Sequence, residues 1–249
     1  IGSFSVSTLD GGAGTDTLNF LNLSDTGATL TLNTAGATNF ENIVGTRQAD
    51  TITGDANANT IIGESGGDTI SGLGGNDLIF GDIESSDPTS TTADQTLTSA
   101  ADDTITGGAG NDIINGNRGN DSLDGGTGAD TITGSRGNDT FIIRSGDGGS
   151  TLADADTITD FTDGTDLIGL DGIVSTDLSI AQGSGSNAND TIISLTSSGE
   201  FLAVLKNTTA SSITASDLTF SSAAAQTLTG TSGNDILLGG SGADTISGS

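Results

Sequence analysis

The stretch GGAGNDIINGNRGNDSLDGGTGADTITGSRGNDTF, residues 107–141, repeats the nine-residue phrase Gly-Gly-x-Gly-x-Asp-x-apolar-x. Complete copies stand at Gly107–Asn115, Gly125–Thr133, Gly239–Ser247 and Gly11–Asn19, with looser copies between some of them. In two runs with one longer interval between them, the apolar position recurs every nine residues and is filled by Ile52, Ile61, Ile70, Ile79, Ile105, Ile114, Leu123, Ile132 and Phe141. Because this apolar position keeps its register, the segment is a structural unit and not a disordered glycine-rich linker.

An aspartate stands two places before the apolar position in almost every copy. The series is Asp50, Asp68, Asp77, Asp103, Asp112, Asp121, Asp130 and Asp139, and Asp16, Asp235 and Asp244 hold the same place in the outlying copies. Asn59 is the one member of the main run that lacks the charge. Only four of the 33 acidic residues are glutamate, so the chain selects the short carboxylate that suits a tight turn.

The composition excludes several classes of function. A net charge of −28 argues against nucleic acid and against insertion into an anionic membrane, and it favours hard cations that prefer oxygen ligands. Without cysteine, the chain has neither disulfides nor thiolate metal sites. Residues 63–67, GESGG, match the Gly-x-Ser-x-Gly pattern of serine hydrolases, but a chain without histidine lacks the usual general base. We therefore predict no catalytic residues and no enzyme activity.

Nine-residue periodicity predicts an all-β fold. A six-residue glycine-rich turn plus a three-residue strand makes half of a flattened coil, so two repeats make one coil and stacked coils make two parallel sheets. The predicted units are an N-terminal repeat and strand segment (1–44), the main roll (45–142) with an inserted loop (82–102), a β-rich capping domain (143–222) and the start of a further roll (223–249). Alternation and β-branched content predict strands at Thr191–Leu195 and Phe201–Leu205 in the cap.

The nonapeptide closely resembles the signature of the RTX (repeats-in-toxin) family. The resemblance implies a right-handed parallel β-roll in which calcium lies between turns that are two repeats apart. It also implies that the ligands are the repeat aspartates and backbone carbonyls of turn glycines such as Gly107, Gly110, Gly125 and Gly128. We expect about five to eight calcium ions, with Asp77 above Asp112 and Asp103 above Asp121 among the stacked pairs.

Stacked carboxylates make the cation necessary. Coils about 4.8 Å apart bring like charges together, and at an effective dielectric near 20 each pair repels by roughly 3 kcal/mol. The chain should therefore stay unfolded at the low calcium of a cytoplasm and fold at extracellular millimolar levels, which weak calcium modules match. The family resemblance further implies secretion by a type I system and an extracellular or cell-surface location.

Two functional hypotheses follow from this organisation. In the first, the chain is a structural module of a secreted bacterial surface protein, such as an S-layer subunit, adhesin or filament, and binds other copies or modules. In the second, it is the secretion and folding module of an exoenzyme or toxin whose catalytic domain lies elsewhere. The resumption of repeats at Gly230 favours the first, and a surface glycan is a further candidate partner.

Because the sequence begins at Ile1 and contains no methionine, we expect it to be an excerpt or a processed product.

Ice binding is a minor alternative. The threonine pairs Thr51/Thr53, Thr104/Thr106 and Thr131/Thr133 flank inward residues and could form a flat array. The sequence predicts that this array is interrupted by two pairs, Leu78/Phe80 and Ile113/Asn115.

Overall fold

A computed structural model describes residues 9–21, 27–32, 37–82, 101–220, 227–229 and 245–247. Two predicted site residues, Asp235 and Asp244, lie outside these ranges, and so do residues 83–100 of the predicted inserted loop. Within the described part of the chain the structure is built from short β-strands and four single-turn 3₁₀ helices. No helix in these ranges is long and apolar enough to cross a membrane.

Two large sheets hold most of the strands, which are numbered in chain order. The eight-stranded sheet contains β3 (Thr29–Thr31), β6 (Thr51–Thr53), β8 (Thr69–Gly74), β10 (Thr104–Ala109), β12 (Ser122–Thr127), β14 (Thr140–Arg144), β16 (Leu167–Asp171) and β20 (Leu218–Phe220). The ten-stranded sheet contains β2 (Thr17–Asn19), β5 (Asn42–Val44), β7 (Thr60–Glu64), β9 (Leu78–Asp82), β11 (Ile113–Arg118), β13 (Thr131–Arg136), β15 (Asp156–Ile158), β17 (Leu178–Gln182), β18 (Thr191–Leu195) and β19 (Phe201–Leu205).

Successive repeats alternate between these sheets, so neighbouring strands of one sheet are two repeats apart. Ile105 of β10 lies beside Leu123 of β12, and Ile114 of β11 lies beside Ile132 of β13, all in parallel register. The predicted all-β parallel β-roll with two repeats per coil is therefore confirmed.

The apolar positions form the core between the sheets. From Ile43 through Phe141, every residue of the inward series is at most 2% exposed, and the neighbouring Ile113 on the outer face is 53% exposed. This contrast follows from the period of two along a strand, which sends adjacent side chains to opposite faces. The inward apolar residue of each repeat is thus buried by the coils above and below it.

The predicted inserted loop leaves the register of the coils unchanged. On its two sides, Ile70 pairs with Ile105 in one sheet and Ile79 pairs with Ile114 in the other. Parallel pairing resumes after a longer sequence interval, with β9 ending at Asp82 and β10 beginning at Thr104.

Both sheets extend beyond residues 45–142. On the N-terminal side β2, β3 and β5 join them, with Leu18, Leu30 and Ile43 in the inward position. On the C-terminal side β15 and β16 continue the two stacks, with Ile158 beside Ile132. The boundaries proposed at 45 and 143 therefore fall inside continuous sheets.

Beyond β15 the ten-stranded sheet changes to antiparallel pairing, whereas the eight-stranded sheet stays parallel through β16 and β20. After β15, the ten-stranded sheet continues with parallel β19 and then with antiparallel β18 and β17. The strands predicted at Thr191–Leu195 and Phe201–Leu205 are β18 and β19. The 3₁₀ helices of this region are Leu152–Asp154, Ser175–Asp177, Gly185–Asn187 and Ala215–Asp217.

Two small parallel sheets complete the described structure. One pairs β1 (Leu9–Asp10) with β4 (Ala37–Thr38), and the other pairs β21 (Thr227–Thr229) with β22 (Thr245–Ser247). In the second sheet Leu228 lies beside Ile246, the same two-repeat interval that separates strands of the main roll. Leu228 is buried, whereas Ile246 is 52% exposed.

The threonine pairs lie on two different surfaces. Thr51/Thr53 and Thr104/Thr106 belong to the eight-stranded sheet, whereas Thr131/Thr133 belong to the ten-stranded sheet. Both pairs predicted to interrupt the array also belong to the ten-stranded sheet, in β9 and β11. The predicted interruption was therefore wrong for the eight-stranded sheet, because alternate repeats face opposite sides of the roll.

Candidate metal sites along the turns

The repeat aspartates stack in two columns, one along each edge of the roll. The first column contains Asp50, Asp68, Asp103, Asp121, Asp139 and Asp166. The second contains Asn59, Asp77, Asp112, Asp130 and Asp156. In both columns the backbone N–H of each residue donates to the side-chain Oδ1 of the next, with N···O distances of 2.7–3.0 Å.

These columns contain the predicted same-edge pairs, such as Asp77 with Asp112 and Asp103 with Asp121. They also show that the interrupted turn keeps its place, since the N–H of Asp68 donates to Oδ1 of Asp103 across the insertion at 2.7 Å. Asn59 keeps its place as well, and its Oδ1 accepts from the N–H of Asp55 at 2.8 Å. The amide of Asn59 thus preserves the hydrogen bonding of the turn while removing one negative charge.

In several of these residues the second carboxylate oxygen has no such partner, whereas Oδ2 of Asp50 accepts from the N–H of Thr46 and Oδ2 of Asp166 from the N–H of Thr162. Buried Oδ2 atoms that accept no hydrogen bond within the described ranges belong to Asp16, Asp68, Asp77, Asp103, Asp112, Asp121 and Asp130. A buried acceptor without a donor costs about 1–3 kcal/mol, and more when it is charged. A cation bound to these oxygens would remove this cost.

The first glycine of each repeat leaves space beside that oxygen. A Cβ atom added at Gly107 would lie 2.4 Å from Oδ2 of Asp112 and 2.5 Å from the carbonyl oxygen of Gly125. At Gly125 it would lie 2.3 Å from Oδ2 of Asp130. We call this space the glycine cradle. Carboxylate and carbonyl oxygens converge on it, and these are the ligands that calcium prefers.

The glycine at the fourth position of the repeat serves a different need. Gly110 and Gly128 have φ values of 142° and 138°, which L residues rarely adopt. A Cβ at Gly128 would lie 1.7 Å from the carbonyl oxygen of Gly110. These glycines therefore allow successive turns to stack with their carbonyls close to the column.

The candidate ligand sets mix side chains with backbone. Across the residues that the structure describes, no group of three or more acidic, histidine or cysteine side chains is arranged to hold a metal ion. What the glycine cradles bring together is a carboxylate oxygen and a backbone carbonyl oxygen. This donor set fits calcium, and Asp112, Asp130 and the carbonyl of Gly125 are the residues that would hold an ion in the middle of the roll.

Three column residues were missed by the sequence analysis. Asp156 and Asp166 continue the two columns, accepting from the N–H groups of Asp130 and Asp139 at 3.0 Å. Glu41 lies above Asp16, and its Oε2 accepts from the N–H of Asp16 at 2.8 Å. All three stand two places before a buried isoleucine, which is the signal that would have found them.

Burial changes the acidity of the columns. Desolvation raises the pKa of Asp103 to about 9 and the pKa values of Asp68 and Asp121 to about 7, from 3.8. These pKa values also include a smaller rise from repulsion between neighbouring carboxylates and a fall from the backbone hydrogen bond that each accepts. Burial also raises the pKa of Asp112. Without a cation, the folded roll therefore holds protons that an unfolded chain would release at neutral pH.

Comparison with known proteins identifies the repeat. The model of the RTX calcium-binding nonapeptide repeat (4 copies) matches residues 2–26, 36–70, 54–83, 94–123, 116–149 and 221–249. These segments cover more than half of the chain. No curated protein sequence matches the chain.

Two solved structures are similar at low identity. One is the AlgE6R3 subunit from the Azotobacter vinelandii mannuronan C5-epimerase, with 19% identity, a TM-score of 0.29, and coverage of 70% of this chain and 80% of that chain. The other is the extracellular lipase LipA from Serratia marcescens, with 17% identity, a TM-score of 0.37 and coverage of 75% of this chain. The match spans 41% of the lipase.

Gly107→Ala should abolish binding at its cradle. The added methyl would occupy the space between Oδ2 of Asp112 and the carbonyl of Gly125, so we expect about one bound calcium fewer per chain. Equilibrium dialysis at saturating calcium measures this number. The control is Gly164→Ala, which strains a residue with a φ of 73° but has nothing within 4 Å of the added carbon. An equal loss of calcium in both variants would contradict the cradle.

Acid should partly replace calcium. Because the folded pKa values lie above 3.8, the calcium-free folded chain binds more protons than the unfolded chain, and its stability falls as pH rises from about 4 to about 9. We expect more β-structure in the calcium-free chain near the acid end of this window than near the alkaline end. Circular dichroism measures it. Calcium added to the acid-folded chain, near the acid end of this window, should release protons, and a titration there without proton release would overturn this linkage.

Proposed function

The chain belongs to the RTX family of calcium-binding nonapeptide-repeat proteins, and from this premise we propose that it is a structural module of a secreted bacterial surface protein. In this proposal the module folds when it meets extracellular calcium and then joins other modules or copies of the same protein. An S-layer, an adhesin or an extracellular filament would use such a module.

The observation that carries the proposal is the series of buried Oδ2 atoms without hydrogen-bond donors in the described part of the two columns. Each is held in place by an Oδ1 that accepts from the coil before it, as between Asp112 and the N–H of Asp77 at 2.7 Å. The columns therefore bring the charges together when the coils stack. Calcium is the ion whose ligand preference matches the oxygens at these positions.

Several weak calcium sites acting together would make folding depend on the compartment in which the chain lies. At a calcium concentration about ten times its dissociation constant, a site stabilises the fold by about 1.4 kcal/mol, and several such sites decide whether the roll forms. Extracellular calcium modules with dissociation constants of about 10⁻⁴–10⁻³ M are suited to the step from cytoplasm to exterior. An unfolded chain would pass a type I secretion channel, and folding outside would oppose its return.

The pair β21 and β22 supports the structural role over an exoenzyme or toxin module. Its strands pair in parallel at an interval of two repeats, as in the main roll, although they follow the proposed cap in the sequence. Ile246 occupies the inward position of this pair and is 52% exposed. A further coil, from a second copy or an adjoining module, would cover it.

The first test concerns folding by calcium. Asp112→Asn keeps the shape of the side chain and removes one charge, so we expect a higher calcium midpoint by circular dichroism, by about threefold to tenfold. Asn59→Asp should have the opposite effect, because it adds a carboxylate at an existing cradle beside the carbonyl of Gly72. Magnesium should replace calcium poorly, since it requires a stricter octahedron. Shifts of the two midpoints in the same direction would refute the proposed ligand columns.

The second test concerns assembly. Ile246→Asp should weaken calcium-dependent association of the chain, which light scattering during a calcium titration measures. Ile113→Asp is the matched control, because the Ile113 side chain is 53% exposed like that of Ile246 but lies on the outward face of β11 within the roll. A chain that folds with calcium yet stays monomeric at high concentration would favour the exoenzyme or toxin module instead.

A further inference from the structure

The outward face of the eight-stranded sheet carries a continuous row of hydroxyl groups. We call this row the hydroxyl ladder, and its members are Thr29, Thr51, Thr69, Thr104, Ser122 and Thr140. Each is the register partner of the next on adjacent parallel strands, so the hydroxyls repeat at the spacing of the strands. The corresponding row on the ten-stranded sheet is interrupted by Leu78 and Ile113.

The ladder ends in a hollow of about 340 Å³. Thr104, Ser122, Thr140 and Thr219 are among the residues that line it. Gly169, also in the lining, lies between its register partners Ile142 and Thr219. A Cβ atom there would lie 2.6 Å from Cδ1 of Ile142, so the hollow has an apolar wall as well as hydroxyl-bearing ones.

An ionic cluster closes one end of the hollow. The guanidinium of Arg144 bonds to Oδ2 of Asp124 and, through Nε at 2.9 Å, to Oδ2 of Asp171. Asp124 is 6% exposed, and its Oδ1 accepts no hydrogen bond from any residue that the structure describes. The cluster thus offers fixed donors and acceptors, together with one carboxylate oxygen that still requires a donor.

The charge of the hollow selects among ligands. Two carboxylates surround one guanidinium, and the chain as a whole carries −28, so an anionic ligand would be repelled. A ligand with several hydroxyls and an apolar ring face could hydrogen-bond to the threonines and the ionic cluster while its ring face packs against Ile142. Pockets of this size hold small ligands by a few placed polar groups against an apolar wall.

We propose that this hollow binds a sugar residue of a neutral glycan, and that the glycan chain continues along the hydroxyl ladder. The inference rests on the proposed function because the hollow exists only in the folded roll. It would give a surface module a second attachment, to carbohydrate, that is separate from the calcium columns and from the exposed end at Ile246.

The test uses the full 249-residue chain loaded with calcium and titrated with methyl glycosides of glucose, galactose, mannose and N-acetylglucosamine. We expect saturable amide shifts at Thr106, Thr140 and Gly169 in NMR spectra, with dissociation constants in the millimolar range. Glucuronate should bind more weakly than every neutral glycoside that binds.

Three variants sharpen the test. Thr140→Val removes one hydroxyl of the hollow and should raise the dissociation constant about fivefold, whereas Thr131→Val makes the same change on the ten-stranded sheet and should leave it unchanged. Gly169→Ala should also weaken binding, because its methyl would displace Cδ1 of Ile142, 2.6 Å away, in the wall of the hollow. Circular dichroism with calcium checks that each variant folds.

Four results would overturn the inference: no saturable shift with any glycoside, equal effects of the two threonine variants, preferential binding of glucuronate, or inhibition of ice recrystallisation without sugar binding. The last would assign the ladder to ice instead. A chain that folds with calcium and binds no glycoside would overturn this inference alone. A chain that does not fold with calcium would overturn the proposed function and, with it, the hollow.

Discussion

The fold forms only when something offsets the electrostatic repulsion between carboxylates that lie directly above one another. In the described part of the roll, several column residues have an Oδ1 fixed by the backbone of the neighbouring coil and a buried Oδ2 without a donor, as in Asp77, Asp112 and Asp130. Burial raises the pKa of these groups, so the coils can approach only with protons or metal ions between them. The same contact that aligns the coils therefore makes their stacking conditional on a cation.

Few other residues of each repeat are needed to form the roll. One inward apolar side chain per repeat, such as Ile114, is buried completely, and the first glycine of the repeat leaves space where oxygens meet. The outward faces are then free to differ. One sheet presents a hydroxyl row that leads to an ionic cluster around Arg144, and the other presents Leu78 and Ile113. Folding and surface recognition thus use separate sets of residues.

The sequence predicts the register and the repeat aspartates because both recur at a fixed interval. It does not predict Asp156 and Asp166, which follow their partners Asp130 and Asp139 by 26 and 27 residues instead of 18, since the turns between them are longer. The two outer faces were also confused in the sequence analysis. In the sequence all threonine pairs look alike. In the fold, two repeats make one coil, so pairs from alternate repeats lie on opposite sheets.

The direction of the backbone hydrogen bonds has a mechanical consequence. In a stack of coils these bonds run parallel to the long axis, as between the N–H of Thr131 and the carbonyl of Asp112, so tension between the two ends loads them in series. The coils should then peel away one at a time. Each released coil would lengthen the chain by about 60 Å and release its ions. Calcium concentration would therefore set the force at which such a module yields, and recoil would follow when ions return.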